Sequence, residues 1–263
     1  MFFYCIYSSE TPQLAKHPSV TTLLTAVNRI DLSSIKSIPE LNVIMQSLWI
    51  RKPNQERADL QDGVQEKRLR PFVLFHMHRL GMMKIVYPTE KIHYDYVVLH
   101  GAMINTMIKR IHFLRKIFSR LCNTQIVFLS GKRLLDPDRE RTYLLKGLQT
   151  EKDAAEYLMR QYNFSNVLFI NATNFKGIRP NTKDTVDAWM LMNPKPGRIL
   201  AISNQPYIQR QDWILRDAMP QDFSLETVGP GADSDIQTKV LFDELARLVY
   251  TQTSRTLQGK HEK

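Results

Sequence analysis

Five short runs of apolar, β-forming residues recur in the later two thirds of the chain, and each has the length of a buried strand. They cover residues 96–99, 125–129, 166–170, 199–202 and 225–228. Segments with helical spacing separate the runs, as in the apolar stripe that includes Ile108, Ile111 and Leu114. Because successive parallel strands need a helical crossover, this alternation predicts an α/β fold: a doubly wound, mostly parallel, Rossmann-like sheet.

The first third of the chain has a different pattern, with helical periodicity over residues 12–52 and a very polar stretch over 51–70. Ser19 and Pro39 are suitable residues to start two helices there, and the polar stretch is either an exposed helix or a loop. We expect a largely helical N-terminal appendage, residues 1–93, followed by an α/β domain, residues 94–263, that ends in an amphipathic helix over 235–250.

His76 and His78 would lie on one face of a strand, as two metal ligands could. However, no Cys, Asp or Glu with a usable spacing lies near them, so the sequence favours a structural or surface role.

Polar residues follow nearly every predicted strand. The carboxyl ends of parallel strands meet at one edge of a sheet, where the ligands of such folds bind. The stretch 179–210 contributes a helix, a strand and a second helix to this edge. We therefore expect a crevice lined by residues from the strand ends and from the helix starts that follow them: His100, Gly101, Ser130, Gly131, Lys132, Glu151, Asn181, Thr182, Asp184, Ser203, Asn204, Tyr207 and Arg210.

The formal net charge is +10, and the excess is concentrated in residues 96–150, which carry ten basic and three acidic side chains. Two interpretations remain open. The basic residues, including Lys109, Arg110, Arg115 and Arg120, form solvated helix faces, or they attract a phosphate, nucleic acid or an anionic membrane surface. Of these partners, nucleic acid is the least favoured by the sequence, because the basic residues are not interspersed with aromatic residues and no nucleic-acid-binding motif is present.

The cysteine content and the hydropathy of the chain indicate the cellular compartment in which we expect it. Cys5 and Cys122 are the two cysteines of the chain, which favours a reducing, cytoplasmic environment over a disulfide framework. No apolar run approaches the roughly 18 residues of a transmembrane helix. The apolar start of the chain is short and lacks basic residues before it, so it does not resemble a signal peptide.

Four motifs from the second part of the chain resemble, in order and spacing, the YdcF-like (SanA/ElyC) family of bacterial α/β proteins. They are Ser130-Gly131, Thr150-Glu151, Asn181-Thr182-Lys183-Asp184 and Ser203-Asn204-Gln205-Pro206-Tyr207-Ile208-Gln209-Arg210. The resemblance covers about residues 94–250. It implies a Rossmann-like domain with a polar, anion-accepting pocket, and it makes S-adenosylmethionine or a nucleotide a candidate ligand.

The chain also departs from the family pattern. The glycine-rich first loop of the family is reduced to Gly101, Asp184 stands for a glutamate, and Thr185 stands for an asparagine. Tyr207 replaces the family histidine. Tyrosine, with a reference pKa of about 10, is a poor base at neutral pH, which lowers the expectation of inherited transfer or hydrolase activity.

Two function classes follow. In the first, the protein binds a small anionic ligand: Lys132 and Arg210 contact the anion, Glu151, Asp184 and Tyr207 are the candidate catalytic residues, and the other strand-end residues supply hydrogen bonds. Glu151 and Asp184 together could hold Mg²⁺, although nothing in the sequence signals a metal site. In the second, the chain is a non-catalytic interaction module that uses the basic segment 109–133 and the N-terminal helices.

Overall fold

The structure is a computed structural model. It describes the chain except for residues 1–13, 29, 31–34, 36, 53–54, 90–92, 118–120, 122–123, 174–179 and 258–263. Both cysteines, Arg120 and Arg179 lie outside the described residues. The chain divides into two compact units. Unit 1 comprises Met1–Met83 and Asp233–Lys263, and unit 2 comprises Lys84–Ala232.

Unit 2 contains the predicted alternation of strands and helices. Its elements are β1 (Tyr96–His100), α4 (Ile104–Ile117), β2 (Gln125–Gly131), α5 (Arg141–Leu144), α6 (Glu151–Gln161), β3 (Val167–Ala172), α7 (Thr182–Met190), β4 (Arg198–Ile202), α8 (Ile208–Ala218) and β5 (Ser224–Val228). All five strands are parallel and lie in the order β3-β2-β1-β4-β5. The prediction of a doubly wound parallel sheet is confirmed.

The strand order places a topological switch point between β1 and β4. The chain builds β1, β2 and β3 outward in one direction and then crosses back to place β4 on the other side of β1. Val98 of β1 is in register with Val127 on one side and with Ala201 on the other. In open α/β sheets, ligands bind outside the carboxyl ends of the two strands at such a point.

Helices cover both faces of the sheet, because successive residues of a buried strand point to opposite sides. Val97 and Leu99 belong to one hydrophobic cluster, to which α4 and α6 contribute. Val98 belongs to a second cluster, to which α7 and α8 contribute. This explains why the strand sequences are apolar throughout and do not alternate.

Unit 1 is helical, and its elements are α1 (Pro18–Asn28), α2 (Ile38–Trp49), α3 (Val64–Arg79) and α9 (Thr238–Leu257), with short 3₁₀ turns at Leu14–Lys16 and Arg57–Asp59. Ser37 caps α2 and accepts a hydrogen bond from Glu40 N. Arg51, Arg57 and Arg247 surround the fully buried carboxylate of Asp243 in α9. Since an isolated buried carboxylate is very costly, these partners are required for α9 to be buried.

Several local expectations in unit 1 differ from the structure. α1 begins at Pro18, so Ser19 lies inside the helix and is not its cap. His76 and His78 lie in α3, where His76 is buried and His78 is exposed, so they do not share a strand face. The polar stretch 51–70 contains the 3₁₀ turn and the start of α3.

The final helix extends over Thr238–Leu257 and groups with the N-terminal helices of unit 1, which differs from a division of the chain at residue 93. It packs against α2 and α3, and Gln46 Nε2 donates a 2.8 Å hydrogen bond to the backbone oxygen of Ala246. The apolar stripe on α9 was visible in the sequence, but its packing partner was not. Among the described residues, no helix combines the length and the apolar character needed to cross a membrane.

Candidate functional site

The side chain of Arg110, in α4, connects the ends of β1 and β4 at the switch point. Its Nη1 donates to the backbone oxygens of His100 and Gly101 at 2.6 and 3.2 Å. Its Nε and Nη2 donate to Asn204 Oδ1 at 3.0 and 2.7 Å. Arg110 is only 2% exposed. Arg110 therefore occupies the position where a Rossmann-like sheet ordinarily receives its ligand, and it holds the two strand ends together.

His100, the last residue of β1, is buried near two arginine side chains. Burial, together with the charges of Arg110 and Arg210, lowers the pKa of His100 to about 3. The Nε2 atom is buried and has no hydrogen-bond partner among the described residues. His100 is therefore neutral at physiological pH, and its surroundings favour negative charge over positive charge.

Glu151, the first residue of α6, places its carboxylate against the ends of β1 and β2. Gly131 N donates to Glu151 Oε1 at 3.3 Å. A Cβ atom on Gly101 would lie 2.1 Å from the same oxygen and 2.8 Å from the backbone oxygen of Leu129. The helix is fixed in this position by Thr150, which caps it and forms reciprocal hydrogen bonds with Asp153. Gly101 is thus needed so that the Glu151 carboxylate can approach the strand end.

Arg133 binds the Glu151 carboxylate at 3.0 Å and also forms a two-point ion pair with Glu140, at 2.6 and 3.0 Å. Glu140 accepts further hydrogen bonds from the backbone of Ile104 and Asp136. Burial alone would lower the pKa of Arg133, but the bonds and charges of the two glutamates outweigh it and raise that pKa. Burial would raise the pKa of Glu140, but its bonds to Arg133 and the backbone lower it. This network fixes the long loop between β2 and α6.

Asn181 and Asp184 form a reciprocal capping box at the start of α7. Asn181 Oδ1 accepts from Asp184 N at 3.1 Å, and Asp184 Oδ2 accepts from Asn181 N at 2.8 Å. Thr182 begins the helix between them. Pro180 lies so close to Gly131 that a Cβ on that glycine would be 3.1 Å from the proline ring. The start of α7 therefore lies over the end of β2.

The remaining predicted residues divide into buried and accessible ones. Ser130 and Ser203 are fully buried, and their hydroxyls donate to the backbone oxygen of Ile170 and to Gln211 Oε1. Lys132 is exposed. Tyr207 and Arg210 are half-buried at the start of α8. The accessible members are thus the cations and the tyrosine, while the serines have structural hydrogen bonds.

The chemistry of this edge is that of an anion-attracting surface more than that of an acid–base centre. Glu151 is held by Arg133, Asp184 is engaged in a cap, and His100 is buried. A general base must be able to reach the proton that it removes, and these three groups are directed at the protein itself. Within the described ranges, no three His, Cys, Asp or Glu side chains gather closely enough to hold a metal ion.

Sequence reasoning missed Arg110, Arg133 and Glu140 as members of this edge. Interpreting the basic segment as solvated helix faces is wrong for Arg110 and for Arg133, both of which are largely buried, whereas Arg115 and Lys116 are exposed. One signal could have identified Arg110. It lies three residues after Met107 and four before Leu114, both fully buried, so it falls on the apolar stripe of α4.

Comparison with models of known protein families finds none that matches this chain, and no curated protein matches it either.

Proposed function

We propose that unit 2 binds a small anionic ligand, such as a nucleotide, S-adenosylmethionine or a phosphate-bearing metabolite, at the carboxyl edge of the sheet beside β1 and β4. The observation that carries this proposal is a topological switch point next to the half-buried guanidinium of Arg210, where the buried Arg110 holds the two strand ends in place. Arg110 bridges the two strand ends, and Arg210 lies close enough to His100 to lower its pKa. Arginine suits phosphate and carboxylate groups because its donors form a planar fork.

The resemblance to the YdcF-like family supports the same place and remains part of the proposal. The Ser203–Arg210 motif provides Asn204, to which Arg110 is bonded, and also Arg210 itself. We favour binding over catalysis, since Glu151 and Asp184 each have structural partners in the protein. Any transfer or hydrolase activity would have to use Tyr207 in place of the family histidine. We expect the protein to work in a reducing, cytoplasmic environment.

The test is a thermal-shift screen of nucleotides, S-adenosylmethionine and sugar phosphates against the wild-type chain and two variants. Arg210→Ala removes the accessible guanidinium. Arg216→Ala is the matched control, because Arg216 lies on the same helix and pairs with Asp212. A ligand at a hundredfold excess over its Kd should stabilise the wild type and the control by about 2.7 kcal/mol. It should not stabilise Arg210→Ala. Absence of any stabilising compound, or equal stabilisation of all three proteins, would refute the proposal.

A second candidate function is contact with an anionic membrane surface through the exposed face of α4. Lys109, His112, Arg115 and Lys116 are exposed on that helix. Electrostatic attraction to anionic lipid is worth about 1 kcal/mol per basic residue near the surface. Sedimentation with phosphatidylserine vesicles should therefore decrease for Arg115→Glu/Lys116→Glu and at high salt. Lys183→Glu/Lys195→Glu, which alters two exposed lysines elsewhere in unit 2, should bind like the wild type.

A further inference from the structure

Unit 1 contains a cavity of about 450 Å³. It is formed by the carboxyl ends of α1 and α2, the segment that follows α2, and the first turns of α3 and α9. Pockets for small molecules have volumes of about 300–1,000 Å³, so this cavity is large enough for one. No residue of the proposed anion site in unit 2 lines it.

One part of the cavity wall is aromatic and fixed. Trp49 and Phe242 both line the cavity, and their rings are stacked at 4.7 Å between centroids with an interplanar angle of 15°. Trp49 Nε1 donates a 3.0 Å hydrogen bond to Asn28 Oδ1, which holds the indole in place. Leu60 and Leu69 add aliphatic surface. A rigid aromatic wall of this kind favours a planar, apolar group of a ligand.

The rest of the wall is charged, and most of its charges are already paired. Arg51 binds Asp243, and Lys239 lies 3.5 Å from Glu66. Glu66 also accepts from the backbone of Gly63. Lys52 differs from these residues. Its side chain is exposed and its ammonium has no hydrogen bond or ion pair among the described residues. The lining also contains the carboxylate of Asp59. It therefore combines an aromatic part with an ammonium group, that of Lys52, which forms no ion pair with any described carboxylate.

We propose that this cavity binds a small aromatic anion. The planar ring lies against the wall formed by Trp49 and Phe242, and its carboxylate, sulfonate or phosphate group lies near Lys52. Each half of the ligand matches a feature of the lining. The apolar ring leaves water for an apolar surface, and the anion gains a charge-assisted hydrogen bond from the ammonium. The proposal is independent of the anion site in unit 2.

The experiment uses 8-anilinonaphthalene-1-sulfonate, an aromatic sulfonate whose emission rises when water is excluded from it. A fluorescence titration of the full chain should show one saturable site. Gln65→Trp adds bulk to the cavity wall at an exposed position of α3 and should abolish that site. Lys52→Glu should weaken binding about tenfold, the effect of losing one charge-assisted contact.

The matched control is Lys67→Glu. It makes the same charge change at an exposed lysine of α3 that does not line the cavity, and it should bind the probe like the wild type. Circular dichroism and melting temperature show that each variant is folded. Unchanged binding by folded Gln65→Trp, or equal weakening by Lys52→Glu and Lys67→Glu, would overturn the proposal. Arg210→Ala should leave the titration unchanged. If it removes the signal, the probe binds unit 2, and the cavity proposal fails while the anion site gains support.

Discussion

The carboxyl edge of the sheet in unit 2 and the cavity of unit 1 are both rich in charged residues, but they use them differently. At the sheet edge, Arg133 neutralises Glu151, and Arg110 satisfies the backbone of β1 and the amide of Asn204. Around the cavity, the side chain of Lys52 has no partner among the described residues, and Trp49 and Phe242 contribute to the lining. A dense group of polar residues is therefore not by itself a ligand site.

The physical difference lies in what a ligand must displace. An edge whose groups are bonded to one another loses those bonds when a ligand enters, and this cost reduces affinity. An open wall with an unpaired charge loses only water. We therefore expect substitutions in the bonded network of the sheet edge to affect chiefly stability, and substitutions of Arg210 or of the cavity wall to affect chiefly binding.

The largest effect is expected from Glu140→Ala. It leaves Arg133 buried with one of its two carboxylate partners missing. Breaking a buried pair by removing one partner costs about 3–5 kcal/mol. Urea denaturation measures the loss in free energy of unfolding. The control is Glu156→Ala, which removes more exposed pairs with Lys152 and Arg160 on α6 and should cost less than about 1 kcal/mol. Similar losses in both variants would contradict the structural role of the network.

Gly101→Ala should destabilise unit 2 by about 1–3 kcal/mol, the range for adding a methyl group to a packed region. The added Cβ would lie within 2.1 Å of the Glu151 carboxylate and 2.8 Å of the backbone oxygen of Leu129, so the helix start or the strand end must move. Thermal unfolding gives the shift in Tm. Gly63→Ala is the comparison, since its Cβ would meet only the end of the Glu66 side chain, at 3.0 Å. An unchanged Tm for Gly101→Ala would show that Glu151 is not held against the strand.

Stability should fall with pH below neutrality because of His100. Its pKa is about 3 in the folded protein and about 6.5 in an unfolded chain. Between these values the unfolded state binds a proton that the folded state does not, so the stability present above pH 6.5 is lost as the pH falls. Each pH unit costs about 1.4 kcal/mol. Burial and Arg79 also lower the pKa of His76 in unit 1, which adds to the loss.

Denaturation is measured at several pH values between about 6.5 and 4.5. In this range the pH dependence of stability comes chiefly from histidines, because the reference pKa values of carboxylates are near 4. His100→Gln should have a shallower dependence than the wild type, and His78→Gln, at an exposed position, should match the wild type. Identical slopes for His100→Gln and the wild type would mean that the imidazole takes up its proton in the folded state.

The smallest change in stability is expected for substitutions of Asn181 at the start of α7. These variants distinguish a residue that caps the helix from one that contacts a ligand. Asn181→Ala should cost about 1 kcal/mol of stability through loss of the cap, whereas Asn181→Ser should keep most of it. If Asn181 acts only as a cap, a ligand found in the thermal-shift screen should bind both variants with the same affinity. A selective loss of binding in Asn181→Ser, with stability unchanged, would instead support the ligand contact that the sequence pattern suggested.

Much of the fold was predictable because its signals are local. Buried parallel strands read as continuous apolar runs, and all five were located to within two residues at each end. Thr150 and the Asn181–Asp184 pair could be identified as helix starts from residue type and spacing alone. The candidate site was less predictable. A polar residue after a strand has the same appearance in sequence whether it binds a ligand, caps a helix or bonds a neighbouring strand.

The sequence by itself determined the order of strands and helices and the polar character of the strand ends, since both follow from short-range patterns. Only the tertiary structure decided which polar groups from distant segments bond to one another. Arg110 and Asn204 are 94 residues apart and meet because β4 returns to lie beside β1. Likewise, α9 groups with the N-terminal helices because its apolar face and Asp243 find partners there, including Arg51, 192 residues earlier. Such pairings depend on contacts between distant segments, so they cannot be predicted from local sequence patterns.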